Sequence, residues 1–255
     1  MPTFNHDNVS LYYEEFGSGY PLLLFAPGGM RSAIDFWHKS PFDPTEEFAA
    51  DFRVIAMDQR NATARSRGPA SAADGWHTYT SDHLALLDHL KIDRCHVMGG
   101  CIGSSYCLSI AQTAPARVSA AVLQNPIGLH ENRSAFREMF DGWAKGLMAQ
   151  PGAASEAAFA TFRESMYGGD FVFSVSRDFV RSCTIPMIVL RGDDLYHPAP
   201  ISDEIVRLNP KIEMVPNWKT PDSAPAAVNR VREFLQKHQM QAAPHRPMTD
   251  AVNSD

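Results

Sequence analysis

Seven short runs, each closed by turn-forming residues and separated by helix-like stretches, constrain this chain more than any other feature. The runs are Val9–Tyr13, Leu22–Ala26, Arg53–Met57, Cys95–Met98, Ala120–Leu123, Met187–Leu190 and Ile212–Val215. Most are continuously apolar, as strands buried on both faces of a parallel sheet must be. Helical periodicity occupies Tyr79–Leu90, Ser104–Ala114, Ile201–Leu208 and Ala226–Gln239. Strand and helix in alternation predict right-handed crossovers and an α/β, doubly wound, mostly parallel sheet. In such a sheet ligands bind beyond the carboxyl ends of the strands, so the residues just after each run carry the chemical information.

Composition narrows the partners. The 255 residues hold 23 Lys+Arg against 29 Asp+Glu, a formal net charge of -6. No basic excess is available to neutralise phosphates, which argues against nucleic acid. No apolar run approaches the roughly 20 residues needed to span a bilayer, so no membrane partner is expected. The opening residues lack a charged segment followed by an apolar one, so a cytoplasmic location is the expectation. The four cysteines, Cys95, Cys101, Cys107 and Cys183, form no CxxC pair. Neither a disulfide scaffold nor a metal site is expected from that spacing, and no cofactor is implied.

Between Ile127 and Arg181 the alternation breaks into short helix-like segments rich in aromatics, among them Trp143 and Tyr167. The segment reads as a helical cap over the strand ends. The expected organisation is a core from 1–126 and 182–240, a cap from 127–181 and a disordered tail from 241–255.

The strongest chemical signal is Gly99-Gly100-Cys101-Ile102-Gly103, where a strand ends and a helix begins. A tight strand-to-helix turn strains its middle residue and admits only small neighbours. The Cys101 side chain then stands at a helix N-terminus, which stabilises a thiolate. The other three cysteines read as packing residues.

This G-x-C-x-G turn resembles the nucleophile elbow of the α/β-hydrolase family, with Cys where most members have Ser. The resemblance runs from about Leu11 to Gln239. Pro27-Gly28-Gly29 matches the family's oxyanion loop, Asp58-Gln59-Arg60 its Asp-x-Arg, and Ile185–Asp194 its acid-bearing strand. The run His83–Ile92 matches the helix before the elbow. The pattern is closest to lid-bearing enol-lactonases, esterases and C–C hydrolases.

The resemblance implies two oxyanion donors, the amide of Ile102 and that of Gly29 or Met30. It also implies a His after the last strand. The segment there reads Pro216-Asn217-Trp218-Lys219-Thr220-Pro221 and holds none. His197 in the preceding loop is the nearest substitute, with Asp194 three residues earlier as its acid and Asp193 second. His130 and Lys219 are competing bases. Arg60, Arg65 or Arg67 is a candidate partner for a substrate carboxylate. Together with His130, Trp143, Tyr167 and Trp218, Arg60 completes the expected substrate-binding set.

The implied activity is hydrolysis of a small-molecule ester, thioester or lactone through a thioacyl-enzyme at Cys101. Transfer to an acceptor other than water, C–C bond hydrolysis, or small-molecule reception without catalysis are the alternatives. A homodimer is compatible with the sequence.

Overall fold

The computed structural model describes residues 2–239. The tail expected to be disordered, 241–255, lies outside the described residues. The strands are β1 (Thr3–His6), β2 (Val9–Phe16), β3 (Tyr20–Phe25), β4 (Phe52–Met57), β5 (Cys95–Gly100), β6 (Val118–Gln124), β7 (Met187–Leu190) and β8 (Glu213–Val215). The helices are α1 (Pro44–Glu47), α2 (Trp76–His89), α3 (Ile102–Thr113), α4 (Arg133–Met148), α5 (Glu156–Tyr167), α6 (Arg177–Ser182), α7 (Ala199–Leu208) and α8 (Ala224–Lys237).

The eight strands form one sheet in the order β1-β2-β4-β3-β5-β6-β7-β8. From β4 to β8 every pairing is parallel, and β1 and β2 add an antiparallel edge. The fold is thus the α/β, mostly parallel sheet expected from the alternating runs. Strand β1 was not anticipated. It pairs with β2 through a two-residue turn, Asp7-Asn8, in which both residues have positive φ (43° and 66°). That turn twist matches the twist of paired strands.

Why the runs are continuously apolar is visible in β3. Leu23 and Phe25 pack into a core on one face, while Leu22 and Leu24 pack into a second core on the other. Each fully buried side chain of this size contributes roughly 1.5–3 kcal/mol. Helix α3 is buried along most of its length, from Ile102 to Ala111.

The chain leaves β3 towards β4 on one side and returns to β5 on the other, so strand order reverses between β3 and β5. A crevice opens at such a point. The loop after β3 and the turn after β5 meet there. Helices α4–α6 lie between β6 and β7 in the chain, as the aromatic-rich segment predicted.

Candidate active site

Cys101 sits between β5 and α3 with φ 57° and ψ -120°. A non-glycine residue there is strained, and the surroundings enforce it. The Cys101 amide donates to the Gln124 carbonyl at 2.9 Å. The Ser104 hydroxyl reaches the carbonyls of Gly99 and Gln124 at 2.9 and 3.0 Å. The flanking glycines are steric necessities. A Cβ on Gly99 would lie 2.0 Å from the Gly103 carbonyl oxygen, and one on Gly103 would lie 2.0 Å from that of Phe25. Cys101 is partly exposed, whereas Cys95 and Cys107 are buried.

His197 and Asp194 share the loop between β7 and α7. His197 Nδ1 lies 2.7 and 2.8 Å from the two Asp194 carboxylate oxygens. The amides of Tyr196 and His197 also donate to Asp194, at 3.0 and 3.1 Å. Gly192 lets this loop close, because a Cβ there would lie 2.3 Å from the His197 carbonyl oxygen. With Nδ1 committed to the carboxylate, Nε2 is left buried without a hydrogen-bond partner, and His197 and Cys101 line the same cavity and perturb each other's titration.

The electrostatics follow. Burial pushes the Cys101 thiol up, but the charge and hydrogen bond of His197 and the amides of Gly28 and Ile102 outweigh it and leave the thiol below its ordinary value. Burial depresses His197, yet the Cys101 charge and the Asp194 hydrogen bond raise it to about 9. The hydrogen bond from His197 holds Asp194 well below the usual carboxylate range. The two groups thus shift towards each other, the thiol down and the imidazole up. Cys95, in contrast, is pushed up to about 12 by burial.

A cavity of about 360 Å³ opens onto Cys101 and His197. The inserted helices and the segment before β7 contribute Phe136, Met139 and Tyr167 to its walls, and Trp218 closes another side. Among the described residues no group of three or more His, Cys, Asp or Glu is arranged to hold a metal ion. Nor is any helix there long and apolar enough to cross a membrane.

A sequence family described as alpha/beta hydrolase fold matches residues 21–173, which include the oxyanion loop and the elbow. The chain belongs to the alpha/beta hydrolase fold family. Among curated relatives, a protein named for carbamate hydrolysis, RutD of Azorhizobium caulinodans, is 32% identical over 127 residues, 49% of this chain and 44% of that protein. A proline iminopeptidase of Neisseria meningitidis serogroup B is 34% identical over 118 residues, 45% of this chain and 36% of that protein. The matches thus span less than half the length of either relative. Among solved alpha/beta hydrolase structures, the meta-cleavage product hydrolase of Pseudomonas fluorescens IP01 superposes with a TM-score of 0.69 at 17% identity, covering 94% of this chain and 98% of that one. The enol-lactonase of Burkholderia xenovorans LB400 gives 0.66 at 20% identity, covering 92% and 100%. At these identities the likeness is one of fold.

Against this alpha/beta hydrolase frame, several expected residues need relocation. Of the loop amides, that of Gly28 acts on the Cys101 thiol. Gly28 and Gly29 have φ of 118° and 59°, which turn the backbone so that both line the cavity, whereas Met30 is buried away from it. The Ile102 amide acts on the same thiol. Arg60 does not face the cavity: its guanidinium is paired with buried Asp82 at 2.6 and 2.9 Å. Arg65 is committed to Asp58 and Asp35. His130 is exposed and outside the cavity wall. Trp143 donates to the Asn61 carbonyl at 2.9 Å and packs against Phe140, Phe159 and Phe162, so it belongs to the core of the inserted helices. Tyr167 and Trp218 do line the cavity.

Lys219, in the segment after β8, does not line the cavity. Its Nζ pairs with Asp193 and lies 3.7 Å from Asp194. Trp218 donates to the Arg191 carbonyl at 2.9 Å and thereby joins this segment to the His197 loop. The sequence reading missed the 3₁₀ segment Ile34–Lys39, which brings Phe36 and Lys39 to the cavity. Buried Asp58 holds it by accepting from the Ile34 amide at 3.0 Å. Its short, aperiodic sequence carries no strand or helix signal.

Proposed function

We propose that this chain hydrolyses a small-molecule ester, thioester or lactone by way of a thioacyl-enzyme at Cys101. The observation that carries the reading is the commitment of His197 Nδ1 to Asp194, which leaves Nε2 unpartnered in the cavity that Cys101 also lines. Relatives named for carbamate hydrolysis and as a proline iminopeptidase support a hydrolytic reaction.

His197 Nε2 takes the thiol proton, and the sulfur forms a bond to the substrate carbonyl carbon. Negative charge passes to the carbonyl oxygen, where the amides of Ile102 and of Gly28 or Gly29 receive it. The tetrahedral adduct collapses, its bond to the leaving group breaks, and the imidazolium returns its proton to that group. Nε2 then deprotonates a water molecule that attacks the thioester. The second adduct releases the carboxylic acid and Cys101 thiolate. Throughout, Asp194 fixes the imidazole's tautomer and stabilises its charged form. Helices α4–α6 act as a lid, and the mainly apolar cavity suits a medium-sized substrate.

Stopped-flow hydrolysis of p-nitrophenyl acetate tests the reading. A burst is expected, abolished by iodoacetamide, with a single alkyl adduct on Cys101 by peptide mass mapping. A native protein that turns over the ester after full alkylation of Cys101, or that shows neither burst nor adduct, overturns it.

A further inference from the structure

The cavity is lined by one permanently cationic side chain, Lys39, and by no carboxylate. In a chain of net charge -6 such a cation would normally find an acidic partner. Both nearby acids are engaged elsewhere. Asp35 pairs with Arg65 at 3.0 Å, and Asp43 lies 2.6 Å from His38. Among the described residues the Lys39 ammonium meets no carboxylate; its neighbour is the Phe36 ring, with Nζ 5.1 Å from the centroid.

A second donor stands beside it. The Ser40 hydroxyl oxygen accepts from Gln124 Nε2 at 2.8 Å, and Gln124 is 2% exposed. Because that oxygen's acceptor role is occupied, its own proton points elsewhere, and among the described residues nothing accepts it. Ser40 also lines the cavity. An exposed ammonium and a half-buried hydroxyl, adjacent in the chain and without an anionic partner among the described residues, can together meet an anionic oxygen pair. A neutral oxygen would gain less from the same two donors than a carboxylate.

We infer that Lys39 and Ser40 form a carboxylate-binding subsite, so that the preferred substrate is an acyl compound bearing a second, anionic carboxylate group. This subsite takes the part foreseen for an arginine after β4, since Arg60 and Arg65 are consumed by Asp82 and Asp58. The substrate preference rests on the thiol-hydrolase reading above; the anion site does not.

Two measurements keep the two apart. In the first, mono-p-nitrophenyl glutarate is compared with p-nitrophenyl valerate, which carries a methyl group where the other has its carboxylate. The ratio of kcat/KM for the two should favour the glutarate ester by roughly tenfold in the wild type, a value typical of one charge-assisted hydrogen bond. It should fall to near unity in Lys39→Met, be partly retained in Lys39→Arg and be reduced in Ser40→Ala. In the second, calorimetric titration with glutarate needs no turnover. Binding should weaken about tenfold in Lys39→Met and also in high salt. If both esters turn over with equal efficiency and glutarate binds both proteins alike or not at all, the subsite is wrong and the hydrolase reading stands. If neither ester turns over but glutarate binds in a Lys39-dependent way, the subsite stands and the hydrolase reading falls.

Discussion

His197 Nδ1 lies within 2.8 Å of both carboxylate oxygens of Asp194, three residues earlier in the same loop. The residues proposed as acid and base therefore share one turn, closed by the Asp194 amide donating to the His197 carbonyl at 3.3 Å. Replacing His197 by Ala should reduce kcat/KM on the order of 10²- to 10⁴-fold, the range that one positioned acid–base group supplies. Asp194→Asn should cost less than His197→Ala, because the imidazole remains while its tautomer is no longer fixed. Steady-state kinetics on an activated ester reads both, and near-wild-type turnover of His197→Ala would move the base elsewhere.

The pH dependence of thiol alkylation should report the same pair. The Cys101 thiol is held below its ordinary value, so its iodoacetamide rate should reach its midpoint at a lower pH than that of a free cysteine thiol measured alongside. Without the imidazole only burial and two amides act, and burial raises the value. His197→Ala should therefore shift the midpoint upwards. A midpoint that stays in place would show that His197 does not sense the sulfur.

Stability should follow with a defined sign. His197 is raised from about 6.5 to about 9 by folding, so its contribution is complete below about pH 6.5 and fades as pH rises through about 9. The difference in Tm between wild type and His197→Ala should accordingly narrow from pH 7 to pH 10. A difference that widens over this range contradicts the assignment.

Lys219→Ala separates the two candidate bases. The Lys219 ammonium is engaged by Asp193 and is absent from the cavity wall, so its loss should lower kcat by less than about tenfold through looser positioning of Asp194. A loss as large as that of His197→Ala would make the lysine the base.

Gly103→Ala tests the elbow by itself. The added methyl would sit 2.0 Å from the Phe25 carbonyl oxygen, which belongs to the central sheet and cannot yield without moving β3. Destabilisation of roughly 1–3 kcal/mol or more is expected from such overpacking. Urea unfolding midpoints measure it, and an unchanged midpoint would mean that the turn is looser than described.

How far the sequence could be read follows from where its signals are local. Apolar runs such as Leu22–Ala26 specify strands because both their faces are buried, and the glycines around Cys101 specify the turn because backbone crowds them. Asp194 and His197 were recognisable because three residues separate them. Which amide of the Gly28-Gly29 loop would meet an oxyanion was not legible, because it depends on φ values that any glycine pair can adopt. Arg60 was misread for a different reason. Its partner Asp82 lies on α2, and nothing local announces a pairing across 22 residues. Lys39 escaped notice because the 3₁₀ segment that carries it is shaped by Asp58, far along the chain.

Where acid and base hang from neighbouring strand ends, their spacing is hostage to any slip between those strands. Here both ride on the end of β7, two places from β5 in the sheet. Sliding of β8 leaves their mutual distance untouched, and sliding of β7 carries them as a cassette towards or away from the elbow. Readiness of the thiol thus reduces to the offset of β7 from β5, which cross-links from β6 to both of its neighbours would lock.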